Sequence, residues 1–355
     1  MVNGTPQAST DRVLANPWVR VDALRLQAFD RLADLMVTAG SSGGRSVGRQ
    51  GQIDPAVAEW CLQWLGATPL HLLFEGGHLS GVVGLDLSDG RQVVVKIRPP
   101  AARIAGCVAV QRHLFAAGFP CPEPLAGPAP IGSATATAET CIPGGAVLDV
   151  DAAAPALFAK LLVDLVRLAP PAATIPTLEP APPWVGWNHD ATGTWPRPDD
   201  LDVDLNAKPG PPWIDKIGRS LRERLLKLAG EVQIGHLDWE SHNIRWNGQK
   251  AVAVHDWDSV AALSEPAIAG TAATVFPSSP DGRTVAASIQ QTEAFLNAYQ
   301  AMRGTRWNRE EEETCWAAGM WVLTYNAKKE TRGGGGGYLK HLEREASERM
   351  RRAGI

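Results

Sequence analysis

The spacing of hydrophobic residues shifts from mostly strand-like to mostly helical at Ile142-Pro143-Gly144-Gly145. Before that joint they come as short runs, Leu70–Phe74, Val82–Leu87, Gln92–Ile97 and Ala134–Glu139. Runs of this length bounded by turn residues read as strands, and Asp89-Gly90 between the second and third is a hairpin turn. After the joint, Ala154–Leu168, Trp213–Leu228, Ser288–Met302, Asn308–Asn326 and Tyr338–Ala353 read as helices from their apolar spacing. The last carries the opposite-charge pairs Glu345–Arg349 and Glu348–Arg352 one turn apart. One strand pair, Ile244–Trp246 with Ala251–Asp256 around Asn247-Gly248, interrupts the helical part. A chain patterned this way predicts an α+β fold of two lobes. Residues 53–142 form a small β-rich lobe with a helix at Ala101–Ala117, and residues 143–355 form a larger helical lobe. Residues 1–52 read as an extension, an amphipathic helix over 18–38 followed by a Gly/Ser-rich linker, and a short helix over Pro55–Leu65 starts after the N-cap Asp54. The five glycines Gly333–Gly337 have no strand before them and read as a connection between helices.

Composition narrows the classes of function. The 34 Lys and Arg against 38 Asp and Glu give a net charge of −4, without the basic excess that draws a protein onto nucleic acid or anionic membranes. No stretch approaches the ~20 apolar residues of a membrane span, and the first thirty residues lack an apolar secretion core. Five cysteines, Cys61, Cys107, Cys121, Cys141 and Cys315, are scattered and form no CxxC, which suits neither a disulfide framework nor a zinc site. A cytoplasmic protein is expected. Thirteen Trp beside three Tyr and seven Phe predict indoles used mainly for packing.

The densest polar segment is His236-Leu237-Asp238-Trp239-Glu240-Ser241-His242-Asn243, followed beyond the strand pair by Val254-His255-Asp256-Trp257-Asp258. A hairpin returns the chain to where it began, so Asn243 at its entry and Asp256 at its exit belong at one end. One hard oxygen from each suits Mg2+, which completes its octahedron with phosphate and water. Asp238, in the preceding loop, would keep a free carboxylate close by, where an attacking hydroxyl needs a base or an orienting group.

This constellation resembles the aminoglycoside phosphotransferase family, small-molecule kinases with a protein-kinase-like fold, whose catalytic loop reads H-G-D-x-x-x-x-N and whose metal-binding Asp often sits in I-D-W-[DE]. The resemblance covers about residues 70–330. It implies Asp238 as the catalytic residue, Asn243 and Asp256 as Mg2+ ligands, and Lys96, ending Val93-Val94-Val95-Lys96, as the lysine that reaches the phosphates of ATP. It further implies that Gly76, Gly77 and Ser80, within Gly76-Gly77-His78-Leu79-Ser80-Gly81, cover the nucleotide, and that Glu139 to Cys141 begin the interlobe segment that holds adenine. The implied activity is ATP- and Mg2+-dependent phosphorylation of a hydroxyl on a small molecule, a sugar, amino sugar or aminoglycoside. The stretch Trp184–Asp204, rich in Trp and Asp, lies where the family inserts acceptor-binding structure. Signatures of other classes, the P-loop G-x-x-x-x-G-K-[ST] and the H-E-x-x-H metal motif, do not occur, and G-x-S-x-G is spelled only within the Gly/Ser-rich linker, at Gly40–Gly44 and Gly44–Gly48, which supports no hydrolase elbow.

Two departures stand out. Leu237 replaces the glycine between the His and Asp of the loop, so ordinary backbone dihedrals are expected there. The kinase lysine normally pairs with a helix glutamate, yet no Asp or Glu occurs between Asp89 and Glu123. Cys107 aligns with that position and Gln111 follows one turn later, leaving a neutral hydrogen bond from Gln111, or Glu123, as the substitute. The missing carboxylate motivates an alternative, a kinase-like nucleotide-binding or regulatory protein with weak or no transfer.

Overall fold

The structure is a computed structural model that describes residues 52–77, 79–207, 210–228, 230–279, 284–333 and 336–355. The expected helix over 18–38 and its linker lie outside the described residues, apart from Gln52.

The small lobe is a five-stranded antiparallel sheet in the order β1-β2-β3-β5-β4. The strands are β1 (Pro69–Gly76), β2 (Gly81–Leu87), β3 (Gln92–Arg98), β4 (Pro124–Ile131) and β5 (Ala134–Thr140). Helix α1 (Pro55–Leu65) begins where the Asp54 carboxylate accepts from the Ala56 N–H at 2.7 Å. Its Val57, Trp60 and Cys61 cover one face of the sheet, against Val93, Val95 and Ile97 of β3 and Ala136 and Ala138 of β5. Because successive side chains alternate across a pleated strand, Lys96 and Arg98 of β3 and Thr137 and Glu139 of β5 are left on the other face. β4 carries Pro124, Pro128 and Pro130, which masked it as a strand; as an edge strand it tolerates the missing donors. Helix α2 (Arg103–Ala116) links β3 to β4 and is followed by Gly118 in the left-handed region (φ +83).

The large lobe contains helices α3 (Ala154–Leu168), α4 (Pro212–Leu225), α5 (Glu265–Val275), α6 (Ile289–Arg303), α7 (Arg309–Gly333) and α8 (Gly337–Arg352). Helix α5 had no readable period because Pro266 through Val275 are buried on every side. Its small residues admit close approach: a Cβ on Gly270 would lie 2.0 Å from the Cys315 carbonyl oxygen of α7. Nine of the thirteen Trp are buried, so packing accounts for most of the indole excess.

Two small ladders position the polar loops. β6 (Gln233–His236) pairs with β9 (Val260–Leu263), and β7 (Ile244–Asn247) pairs with β8 (Lys250–Val254). Residues 237–243 connect β6 to β7 and residues 255–259 connect β8 to β9, so both loops emerge at the same ends of their ladders. The interlobe segment turns at Gly144 and Gly145 (φ +82 and +73), and Ala146 pairs with Trp246 of β7.

Candidate active site

The two loops are stitched together. The His255 N–H donates to the Asn243 carbonyl (2.8 Å) and the Leu237 N–H to the Ser259 carbonyl (3.3 Å). His236 is fully buried between the indoles of Trp239 and Trp257, and its Nε2 donates to the His255 carbonyl at 2.8 Å. Burial pushes its imidazole down to about 4, as befits a packed loop histidine rather than a base. The Leu237 side chain is buried and, as expected, its φ is not positive; its carbonyl accepts from Trp184 Nε1 at 2.9 Å.

This stitching brings Asp238, Asn243 and Asp256 to one place. Asn243 Nδ2 donates to Asp238 twice, to Oδ2 at 2.8 Å and to the backbone carbonyl at 2.9 Å. With its nitrogen committed, the amide has only its oxygen left to offer a cation. Asp256 is the one non-glycine residue among those described with a positive φ (66), and the Ser259 N–H and Oγ both donate to its carbonyl. The Asp256 carboxylate lies 3.7 Å from Lys96 Nζ. Burial would raise the Asp256 carboxyl, but Lys96 most of all outweighs this and holds it below the usual carboxylate range. Asp238 is pushed up to about 7, first by burial and then by the Asp256 and Asp199 carboxylates, with Asn243 acting in the opposite sense. A carboxylate poised near neutrality beside an anionic centre suits a group that takes or orients a hydroxyl proton.

Lys96 projects from the sheet into this site. Besides Asp256 it faces Glu139, at 3.5 Å. Burial lowers the ammonium, but Glu139, Asp256 and Asp258 more than offset that and keep it charged. Two residues along β3, Arg98 pairs with Asp258 at 2.8 Å, so each of the two cations meets an acid of the 256–258 segment. The Glu123 side chain is exposed, and Gln111 donates to Glu139 at 2.8 Å. Cys107 is buried, with its thiol pushed up to about 11 chiefly by that burial.

Gly76 ends β1 and Ser80 precedes β2, so both sit in the β1–β2 connection. A side chain at Gly77 (φ +128) would run into the Ser80 carbonyl oxygen at 1.8 Å, so the tight turn requires glycine. His78 lies outside the described residues. The Cys141 N–H is engaged by the Gln92 carbonyl at 2.9 Å.

In the Trp- and Asp-rich stretch the indoles Trp187 and Trp195 turn inward, while Asp190, Asp199, Asp202 and Asp204 are exposed. Trp187 and Trp195 are buried against Trp321, so they offer no face for stacking. Asp200 pairs with Lys329 and Asp202 with Arg197, while Asp199 reaches close enough to raise Asp238. Glu240, which has no motif position of its own, joins the site; burial and the neighbouring Asp238 raise it well above the carboxylate range, and His242 Nδ1 lies 3.3 Å away. Its only sequence signal was its place two residues after Asp238.

A family model, that of the phosphotransferase enzyme family (APH), matches residues 71–304. Among solved structures, the amicoumacin kinase hAmiN, in complex with AMP-PNP and Ca2+, superposes with a TM-score of 0.55 at 11% identity, covering 84% of this chain and 94% of its own. The aminoglycoside phosphotransferase APH(4)-Ia gives 0.52 at 15% identity, over 84% of this chain and 99% of its own. The spectinomycin phosphotransferase APH(9)-Ia, with ADP and spectinomycin, gives 0.50 at 11% identity, over 86% and 94%. A comparison with curated proteins finds no match. With the family model spanning well over half of its length, the chain belongs to the phosphotransferase enzyme family, and its two lobes are those of a protein-kinase-like small-molecule kinase.

Proposed function

We propose that the protein transfers the terminal phosphoryl group of ATP to a hydroxyl of a small molecule, with a sugar, amino sugar or aminoglycoside as the acceptor class. The observation that carries this reading is the convergence of Asp238, Asn243 and Asp256 at one end of two ladders, opposite Lys96. The donor set fits Mg2+: one amide oxygen from Asn243 and one accessible carboxylate from Asp256, both hard oxygens, with room left for phosphate and water. Bound there, Mg2+ would neutralise phosphate charge. Lys96 supplies a second, fixed cation for the phosphates, held by its carboxylate partners. Asp238, steadied by Asn243, orients the acceptor hydroxyl and receives its proton. In this family such chemistry rests on positioning and charge neutralisation.

The acceptor class is supported by the anionic surroundings of Asp238, where the exposed Asp199 carboxylate would favour a cationic, hydroxyl-rich molecule. The related spectinomycin and aminoglycoside phosphotransferases act on molecules of that kind. Glu139 beside Lys96 removes the main reason to favour a regulatory protein with weak transfer, because the lysine does have a carboxylate partner.

Thermal unfolding with Mg-AMP-PNP tests the nucleotide half of the proposal. At ~100-fold excess over Kd the linked stabilisation is ~2.7 kcal/mol, so a clear rise in Tm is expected. Asp238→Ala should keep the rise and lose transfer, and Asp256→Asn should lose its dependence on Mg2+. A wild-type Tm unmoved by Mg-AMP-PNP would refute the reading.

A further inference from the structure

In this chain the charged partner of the nucleotide lysine comes from the sheet. Helix α2, where kinases of this fold carry that partner, contains no acid at all. Lys96 and Glu139 sit on adjacent, hydrogen-bonded strands. The antiparallel register sets Thr137 opposite Lys96 and Val94 opposite Glu139, so the pair are diagonal neighbours on one face, within reach of two long side chains. Both are almost fully buried, at 8% and 7% exposure, and Gln111 is at 4%. A buried carboxylate must be met on both oxygens or neutralised. Glu139 meets Lys96 through Oε1 at 3.5 Å and accepts from Gln111 Nε2 through Oε2 at 2.8 Å. Gln111 is itself fixed, since its Nε2 also donates to the Pro122 carbonyl at 3.0 Å.

Helix α2 meanwhile is seated on the large lobe. Arg103 donates to the carbonyls of Asp258 and Val260, within and just after the metal segment. Gly106 packs so closely that a Cβ there would lie 2.5 Å from the Thr177 carbonyl oxygen and 2.6 Å from that of Pro176. Cys107, Val110 and Leu114 belong to the core of the large lobe, apart from the core beneath the sheet.

Resting on the nucleotide reading above, we propose that Glu139 is the positioning residue that holds Lys96 for the phosphates, and that helix α2 acts on the lysine only through the neutral Gln111. The pair then moves with the sheet as one unit. A displacement of α2 loosens the Gln111 contact but leaves the charge pair intact, so in this enzyme α2 is an anchor for the metal segment and not the holder of the lysine.

The test compares wild type, Glu139→Gln and the exchanged pair Glu139→Gln with Gln111→Glu. Calorimetry gives Kd for Mg-AMP-PNP, steady-state ATP hydrolysis with water as acceptor gives kcat and KM, and circular dichroism gives Tm. Glu139→Gln is expected to raise Kd at least tenfold and to lower kcat/KM for ATP about a hundredfold. The exchanged pair, which keeps a carboxylate in the same hydrogen-bonded unit, should recover part of both losses. A Glu139→Gln protein whose Tm falls while Kd and kcat/KM stay within twofold of wild type overturns the proposal. An exchanged pair with no recovery overturns the part assigned to Gln111. Should Glu139→Gln fail to fold, Gln111→Leu removes only the neutral hydrogen bond: a three- to tenfold weaker Kd supports the arrangement and an unchanged Kd contradicts it. Wild type that does not bind Mg-AMP-PNP at all refutes the nucleotide reading, and this inference with it, whereas binding by wild type matched by Glu139→Gln refutes the inference alone.

Discussion

Asp256 holds a left-handed backbone that costs most L-residues about 1–2 kcal/mol, but asparagine and aspartate much less. Its carbonyl is held by Ser259 and its carboxylate by Lys96, so the conformation is fixed from both ends. Asp256→Asn retains the tolerance for this conformation, and Asp256→Ala does not. Both variants should be inactive in transfer, yet Asp256→Ala is expected to be less stable than Asp256→Asn by about 1 kcal/mol, measured by urea unfolding. Equal stabilities would show that the backbone at this position carries no strain for an alanine. The residues of this loop were legible in the sequence because spacing alone brings Asn243 and Asp256 to a hairpin's two ends. Glu139 was legible only as part of an interlobe segment. Which way its side chain points depends on the register between β3 and β5, and a run such as Val93-Val94-Val95-Lys96 hides the alternation that would have revealed it.

At the scale of elements, the strand that leads into the Asp238 loop rests on helix α5. Gly235 of β6 lies against Ile268, where a Cβ would sit 2.4 Å from Ile268 Cγ2. The strand that delivers His236 and Asp238 is therefore positioned by backbone contact with a buried helix. Gly235→Ala should overpack this seam and cost about 1–3 kcal/mol, with lower transfer as the loop shifts. Ile268→Ala in the same chain opens space for the new methyl, so the double variant should lose less than the sum of the single losses. Strict additivity in a double-mutant cycle would rule out the seam. Neither α5 nor the short strands β6 and β9 could be read from sequence. A helix buried all round shows no amphipathic period, and four-residue strands around a polar loop show too little alternation. β4 was hidden by its prolines, whereas the Asp89-Gly90 hairpin, the Asp54 cap and most surface helices were legible because local chemistry alone specifies them.

For the whole molecule, the change of apolar spacing at Ile142–Gly145 corresponds to the passage from the sheet to the helical lobe, and the junction between them collects the charged groups. Two cations of β3, Lys96 and Arg98, pair with two acids of the large lobe, Asp256 and Asp258, across that junction. Buried on the sheet side, these cations would be costly without their partners. The mild net charge of −4 conceals this local order, in which acids cluster around Asp238 and cations lie on the sheet side. Among the described residues no helix is long and apolar enough to cross a membrane. Phosphoryl transfer with Asp238 as the acceptor-orienting group is tested by following labelled phosphate from ATP, with Mg2+, to a panel of sugars, amino sugars and aminoglycosides, run side by side with wild type and Asp238→Asn. A labelled product is expected with at least one acceptor, together with a loss of several hundredfold or more in Asp238→Asn at unchanged Mg-AMP-PNP affinity. Transfer that survives Asp238→Asn would contradict this role for Asp238.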